Sequence, residues 1–303
     1  MTEVGMVLDA YYDFVVKRHR IWEKRQRGEP GPWSADPLLW KKYTNVFRVL
    51  DPGSQYVLEM MQDAPTPADA FARAFLYRYT NRPETWDYLR GNLGRWPLAS
   101  DMDDDLAGEL VEWRDEYGGQ IFSGAYIIMP APNTKGDKVR HAVALAHRLT
   151  HPESPQNVFQ QVAGATTQRA AFDALTAHNG VGDFMAMQIL TDWGYYWPEW
   201  DENTFVVAGP GSKKGIGYVD KSMKPEDYIR YTRDEWWMRV DCPTIPLPNG
   251  KERAPSLMDI QNTFCEFSKY VRVWQELNKA PSKPYVPAHP GKQPEPNLPT
   301  HWL

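Results

Sequence analysis

A chain of 303 residues, 42 % hydrophobic and 24 % charged, can bury a sizeable core and is too apolar to be disordered over most of its length. Its net charge of -5 excludes a protein that coats DNA through phosphate neutralisation alone, although an enzyme that meets DNA briefly needs only a local basic face. Cys242 and Cys265 are the only cysteines, which excludes a disulfide framework and a four-cysteine zinc site and fits a reducing cytoplasm. The opening stretch MTEVGMVLDAYYDFVVK carries acids early, so no signal peptide is expected. No run approaches the roughly 20 apolar residues of a membrane span, and no membrane partner is expected.

Helical spacing dominates from the start of the chain. KRHRIWEKRQR at 17–27 is either a basic contact face or a solvated helix flank. In LLWKKYTNVFRVLD, Leu39, Tyr43, Val46 and Leu50 fall on one helical stripe that stops at Asp51-Pro52-Gly53. Residues 68–79, 103–117 and 138–149 also read as helices, whereas GAYIIMP at 124–130 is an isolated short strand. QRAAFDALTA reads as a helix, HNGVG as its tight exit and DFMAMQILTDW as a second helix. Residues 205–224, rich in Gly and Lys, suggest a loop or short helices, and 241–255 a Pro-broken connection. Ile260, Phe264, Phe267, Val271 and Trp274 then repeat at steps of four and three, the pattern of a buried stripe. Recurrent prolines make 281–303 an extended tail. We therefore expect a mostly α chain, with residues 1–280 as one helical catalytic domain or two helical lobes.

The helical pair at 168–193 raises a chemical question. Gly180 and Gly182, flanking Val181, permit positive φ and uncover amides where a helix dipole favours an anion, the physics of a DNA phosphate clamp. A generic helical hairpin with a glycine turn explains the same letters. Beyond it, Trp193, Tyr195, Tyr196, Trp197 and Trp200 precede Asp201 and form either a pocket for an extruded base or a hydrophobic staple. His141 and His147 lie more than one helical turn apart, so no metal set is expected.

In helix-hairpin-helix DNA glycosylases an aspartate follows the GVG hairpin at about the spacing that separates Gly180 from Asp201. The glycosylase lysine is absent, since Phe184 and Met185 stand there, so base excision is not implied. Taken with YTNVFRVLDPGSQY (43–56), FVVAGPGSKKGI (205–216) and DIQNTFCEFSKY (259–270), the hairpin resembles the helical family of phage thymine-hypermodification enzymes. That family holds the α-glutamyl/putrescinyl thymine pyrophosphorylases, or amino acid:DNA transferases, and the helical domain of 5-hydroxymethyluracil DNA kinases. The resemblance covers residues 36–275 and implies a helix-hairpin-helix DNA glycosylase-like fold with few or no strands.

It further implies a reaction: replacement of the phosphate of 5-phosphomethyl-deoxyuridine in DNA by the amine of an amino acid such as glycine. The implied partners are DNA with modified thymine, the free amino acid or amine, and an upstream pathway kinase, in the host cell cytoplasm. A G-x-x-x-x-G-K-[ST] phosphate loop is absent from the sequence, which favours the transferase over a kinase or its helical domain. A non-catalytic hairpin protein that binds DNA is the further alternative. Asp201, with Asp192 as second candidate, would stabilise the electron-poor methylene or deprotonate the amine. Lys213 and Lys214, with the backbone of Gly209 to Gly211, would hold the leaving phosphate. Arg48 and Asp51 would bind the amino acid's carboxylate and ammonium, and Glu266 with Lys269 would complete the site; each pair equally reads as a plain ion pair three residues apart. Displacement of this kind calls for no nucleotide cofactor and no pyridoxal phosphate, so none is expected.

Overall fold

The computed structural model describes residues 3–124, 136–197, 200–239, 241–276, 280–287 and 291–303. The chain divides into two compact units, the first of Met1–Asp51, Phe205–Leu298 and Trp302–Leu303, the second of Pro52–Thr204 and Pro299–His301. Helix α1 (Glu3–Gln26) opens the first unit. The second unit follows with α2 (Pro52–Gln62), α3 (Pro67–Thr80), α4 (Pro83–Leu93), α5 (Asp104–Tyr117), α6 (Lys138–Thr150), α7 (Phe159–Ala163), α8 (Gln168–Thr176) and α9 (Asp183–Tyr196). The chain then returns to the first unit with α10 (Pro210–Val219), α11 (Pro225–Asp234) and α12 (Leu257–Gln275). Among the described residues the strands are β1 (Ile245–Pro246) and β2 (Glu252–Arg253), paired antiparallel with Ile245 opposite Arg253. The protein is thus mostly α.

Local chemistry sets the helix limits. Thr66 caps α3 by accepting the amide of Asp69, Pro67 supplies the first-turn φ, and Asn81 at φ 46° ends the helix in the left-handed region. Asp103 caps α5, and Gly118 at φ 69° stops it. Ser256 and Asp259 satisfy one another's amides at the head of α12, a reciprocal capping box. In the second unit α3 is buried from Asp69 through Thr80, and it packs against α2, α6 and α9. Its Arg73 stays buried because the Met60 and Pro97 carbonyls accept its guanidinium at 2.7 and 2.8 Å.

The first unit is built on α12, whose Ile260, Phe264, Phe267 and Val271 are buried as the stripe predicts. Trp274 departs from it and is 46 % exposed. Tyr11 of α1 stacks on Phe264 with ring centres 4.1 Å apart. Helix α10 decides between the loop and the short helices that the Gly-Lys run allowed. An added Cβ at Gly215 would collide with the Phe264 carbonyl, and one at Gly211 with the Cys265 sulfur. These glycines therefore allow two helices to approach closely.

The helix expected across 39–50 does not form. Two short 3-10 turns, Pro37–Trp40 and Arg48–Leu50, flank an irregular segment. Side chains take over the hydrogen bonds a helix would have made: Arg18 donates to the Tyr43 and Thr44 carbonyls, and Glu266 accepts from the Thr44 amide. Leu39, Tyr43, Val46 and Leu50 are buried even so, which is why their spacing misleads. In the tail, Tyr285 donates its amide to the Trp40 carbonyl at 2.7 Å. Of the expected strand at 124–130, residues 125–130 lie outside the described residues.

Candidate functional site

Folding of the first unit gathers two pairs that are more than two hundred residues apart in the chain. Asn45 is the joint. Its side-chain oxygen accepts from Arg18 at 2.8 Å, and its own amide donates to the Asp51 carboxylate at 2.7 Å. Glu266 of α12 reaches the same segment through the Thr44 amide at 3.3 Å and is held by Lys269 at 2.5 Å. Asn262, one turn earlier on α12, donates to the Thr44 hydroxyl. Arg48 is buried, its amide donating at 2.6 Å to Asp259, so the 3-10 turn is tied to the head of α12.

The cluster has a definite electrostatic character. Burial pushes the Asp51 carboxyl up to about 7, against the opposing pull of the Asn45 amide, Arg18 and Arg48; Glu266 adds to the rise. Burial also brings the Arg18 guanidinium down to about 10, with Asp51 and Glu266 resisting that change. A carboxyl near 7 can take up and release a proton at neutral pH, and paired guanidinium and carboxylate groups suit a ligand bearing both charges. Glu266 is 4 % exposed, so its contact with Lys269 is no solvated surface bridge. Asn45 was not singled out from the letters, and Arg18 only as part of the basic run at 17–27, where it is buried rather than on a solvated flank. The signal for Arg18 was present, since it shares a helical stripe with Tyr11, Phe14 and Ile21, all buried.

Lys213 and Lys214 stand elsewhere in this unit, exposed on α10. Gly209 is the residue before the helix, and Gly211 faces Cys265, so Gly211 serves helix packing.

In the second unit the hairpin joins α8 to α9 as expected. Gly180 adopts φ +100°, and its carbonyl accepts from the Tyr79 hydroxyl at 2.9 Å. Arg148 donates to the Asn179 carbonyl. Gly182, by contrast, is extended at φ -82°, a conformation open to any residue. Val181 is buried and staples the turn to the core. Asp183 occupies the first turn of α9, exposed, where its negative charge competes with any anion at that helix end.

The expected carboxylates of this unit sit in ordinary structural roles. Asp192 is fully buried, and Arg78 grips both of its oxygens, one at 2.7 Å. Asp201 is exposed and accepts the Asn203 amide at 2.8 Å in a local turn. Solvent there screens its charge. Trp193 lies against Phe71 and Trp197 within the core, and Tyr195 is buried, so both serve packing. Among the described residues no group of His, Cys, Asp and Glu is arranged to hold a metal, and no helix is long and apolar enough to cross a membrane.

Comparison with known proteins places this arrangement in context. A curated relative, the "5-hmdU DNA kinase" of Bacillus phage SP10, is 25 % identical over 237 residues, covering 72 % of this chain and 37 % of its own length. The chain thus spans well under half of that relative. No solved structure matches it. The family described as "5-hmdU DNA kinase, helical domain" matches residues 5–279, a stretch that holds the Arg18–Asn45–Asp51–Glu266 cluster and the hairpin alike. The chain belongs to that family of 5-hmdU DNA kinase helical domains.

Proposed function

We propose that this protein acts on 5-hydroxymethyluracil in DNA, as the base-handling helical component of a phage-type kinase system for thymine modification. The observation that carries this is the family match across residues 5–279. Because the sequence lacks a G-x-x-x-x-G-K-[ST] loop, the proposal assigns recognition of the modified base to this chain and donor-nucleotide binding to a second component. The turn at Gly180, which adopts φ +100° between α8 and α9, is the proposed contact with the DNA backbone. The test is direct. Oligonucleotides that differ only in 5-hydroxymethyluracil against thymine are titrated with the protein, and a preference of about tenfold or more for the modified strand is expected. Equal affinity for both strands would remove the reading.

A second function, transfer of an amino acid to phosphorylated 5-hydroxymethyluracil, is favoured by one feature: the Asp51 carboxyl near 7 beside Arg18 and Arg48. In that reaction an ammonium group loses a proton to Asp51, and the freed nitrogen lone pair forms a bond to the C5 methylene. The C–O bond breaks, with its electron pair leaving on phosphate. Incubation of the protein with 5-phosphomethyluracil DNA and glycine, followed by nucleoside mass spectrometry, decides the point. An aminated nucleoside establishes the transferase, and unchanged 5-phosphomethyluracil eliminates it.

A further inference from the structure

Helix α6 has a basic outward face that contains no acidic residue. Val139, Ala142, Val143, Ala146 and Leu149 turn to the core and are buried. At about 3.6 residues per turn, Arg140, His141, Ala144, His147 and Arg148 share the opposite side. The carboxylate at the head of the helix is already engaged: Asp137 accepts the Val139 and Arg140 amides, and Arg114 holds it at 3.0 Å. Among the described residues no carboxylate pairs with Arg140 or Arg148. This is the local basic face that a chain of net charge -5 needs to meet a nucleic acid.

The far half of this face lies against the hairpin. Arg148 donates through Nη2 to the Asn179 carbonyl, while its buried Nε meets no acceptor. A Cβ added at Gly180 would stand 3.2 Å from Leu145 and 3.8 Å from Arg148 Nη2, so the turn rests on α6. His147 is fixed by its Nδ1, which donates to the Met102 carbonyl at 2.8 Å and leaves Nε2 for an outside partner. Burial, with Arg148 close by, lowers the His141 imidazole, so it stands neutral at pH 7 and still offers one N–H. Asp183, at the head of α9 beyond the turn, repels a phosphate there. Charge therefore leads an anionic chain away from α9 and along α6.

We propose that the outward face of α6, from Arg148 to Arg140, binds the sugar–phosphate backbone of the DNA strand that the Gly180 turn contacts. The two arginines are eight residues apart, about 12 Å along the helix, which matches the axial rise of about three to four nucleotides of one strand. Ala144 between them keeps long side chains out of the path. Contacts of this kind are made to phosphate and sugar, so they position the strand without reading its bases. An extended anion follows from the face itself; its identity as DNA rests on the function proposed above.

Fluorescence anisotropy of the full chain tests the track. The probes are short labelled single strands with one 5-hydroxymethyluracil or with thymine in its place, titrated over a range of salt. Arg140→Gln is expected to weaken both strands by about three- to tenfold and to make the slope of log K against log salt shallower by about 0.7, with thermal melting and the base preference unchanged. Arg169→Gln, on α8 and paired with Asp173, is expected to change neither affinity nor slope. Arg148→Gln is expected to lose more, since it also releases the Asn179 carbonyl; Arg140→Gln carries the test if that variant distorts the hairpin. Unchanged affinity and slope in Arg140→Gln, or equal losses in Arg169→Gln, overturns the track. If the wild type prefers the modified strand and Arg140→Gln is inert, the track falls and the base-recognition reading stands. If the wild type shows no preference and Arg140→Gln weakens both strands, the base-recognition reading falls and the track stands. Displacement of the strand by polyglutamate at equal charge concentration would reassign the face to an acidic protein and overturn the DNA assignment.

Discussion

Replacing Asp51 by Asn removes one titrating group while keeping an oxygen that can accept the Asn45 amide. In the folded protein burial raises this carboxyl from 3.8 to about 7, so between those values the native state holds a proton that the unfolded chain has released. Stability from this group is therefore greatest below about pH 4, falls as pH rises, and levels off above 7. Some 3 pH units at about 1.4 kcal/mol each set a ceiling of about 4 kcal/mol. Asp51 is only partly buried, and solvent screening reduces the expected effect to about 2 kcal/mol. His19 has the opposite sign. Burial lowers it to about 4 from 6.5, so its contribution grows as pH rises through that window. Wild type and variant share His19, and their difference cancels it. Urea denaturation at pH 5, 6, 7 and 8 is expected to show Asp51→Asn gaining on the wild type with each step and saturating above 7. A difference that stays flat across this range would refute the desolvation of Asp51 and, with it, the proton-acceptor role.

Further substitutions test the packing within each unit. Arg78→Met strands Asp192 in the core and is expected to cost about 3–5 kcal/mol by urea denaturation; the double variant with Asp192→Leu should recover most of the loss. Recovery failing, the pair is no simple buried bridge. Gly215→Ala is expected to lower stability by about 1–3 kcal/mol or more, since the Phe264 carbonyl leaves no room. Gly217→Ala on the same helix, with nothing within 4 Å of the new carbon, is expected to raise it by about 0.5–1 kcal/mol. Equal effects at the two positions would contradict the close approach of α10 to α12. Gly180→Ala forces an alanine to φ +100° with Leu145 at 3.2 Å and is expected to cost about 1–3 kcal/mol and weaken DNA binding in a gel-shift assay, whereas Gly182→Ala should leave stability near wild type.

The helices α3, α5, α6, α8, α9 and α12 were legible in the letters because each carries its own apolar stripe, and several carry their own cap, such as Thr66, Asp103 and Ser256. Hydrogen bonds and side-chain periodicity of that kind reach only a few residues, and one stretch of chain contains all of them. Residues 39–50 escaped that logic since Arg18 and Glu266, from far along the chain, replaced the helix's own bonds. Helix α10 was left open between loop and short helix for a related reason: glycines that look like loop residues locally are demanded by the surface of α12.

The site divides the same way. The spacing of Arg48 to Asp51 and of Glu266 to Lys269 marked two charged pairs, but either could have been a solvated bridge. Asp201 looked suited to chemistry by its distance from the hairpin, yet the structure sets it in an exposed turn. What the sequence determined by itself was which segments coil and which faces they bury. Only the tertiary structure decided which charges leave water and which partners meet them, because desolvation and long-range pairing depend on residues that the chain separates by hundreds of positions.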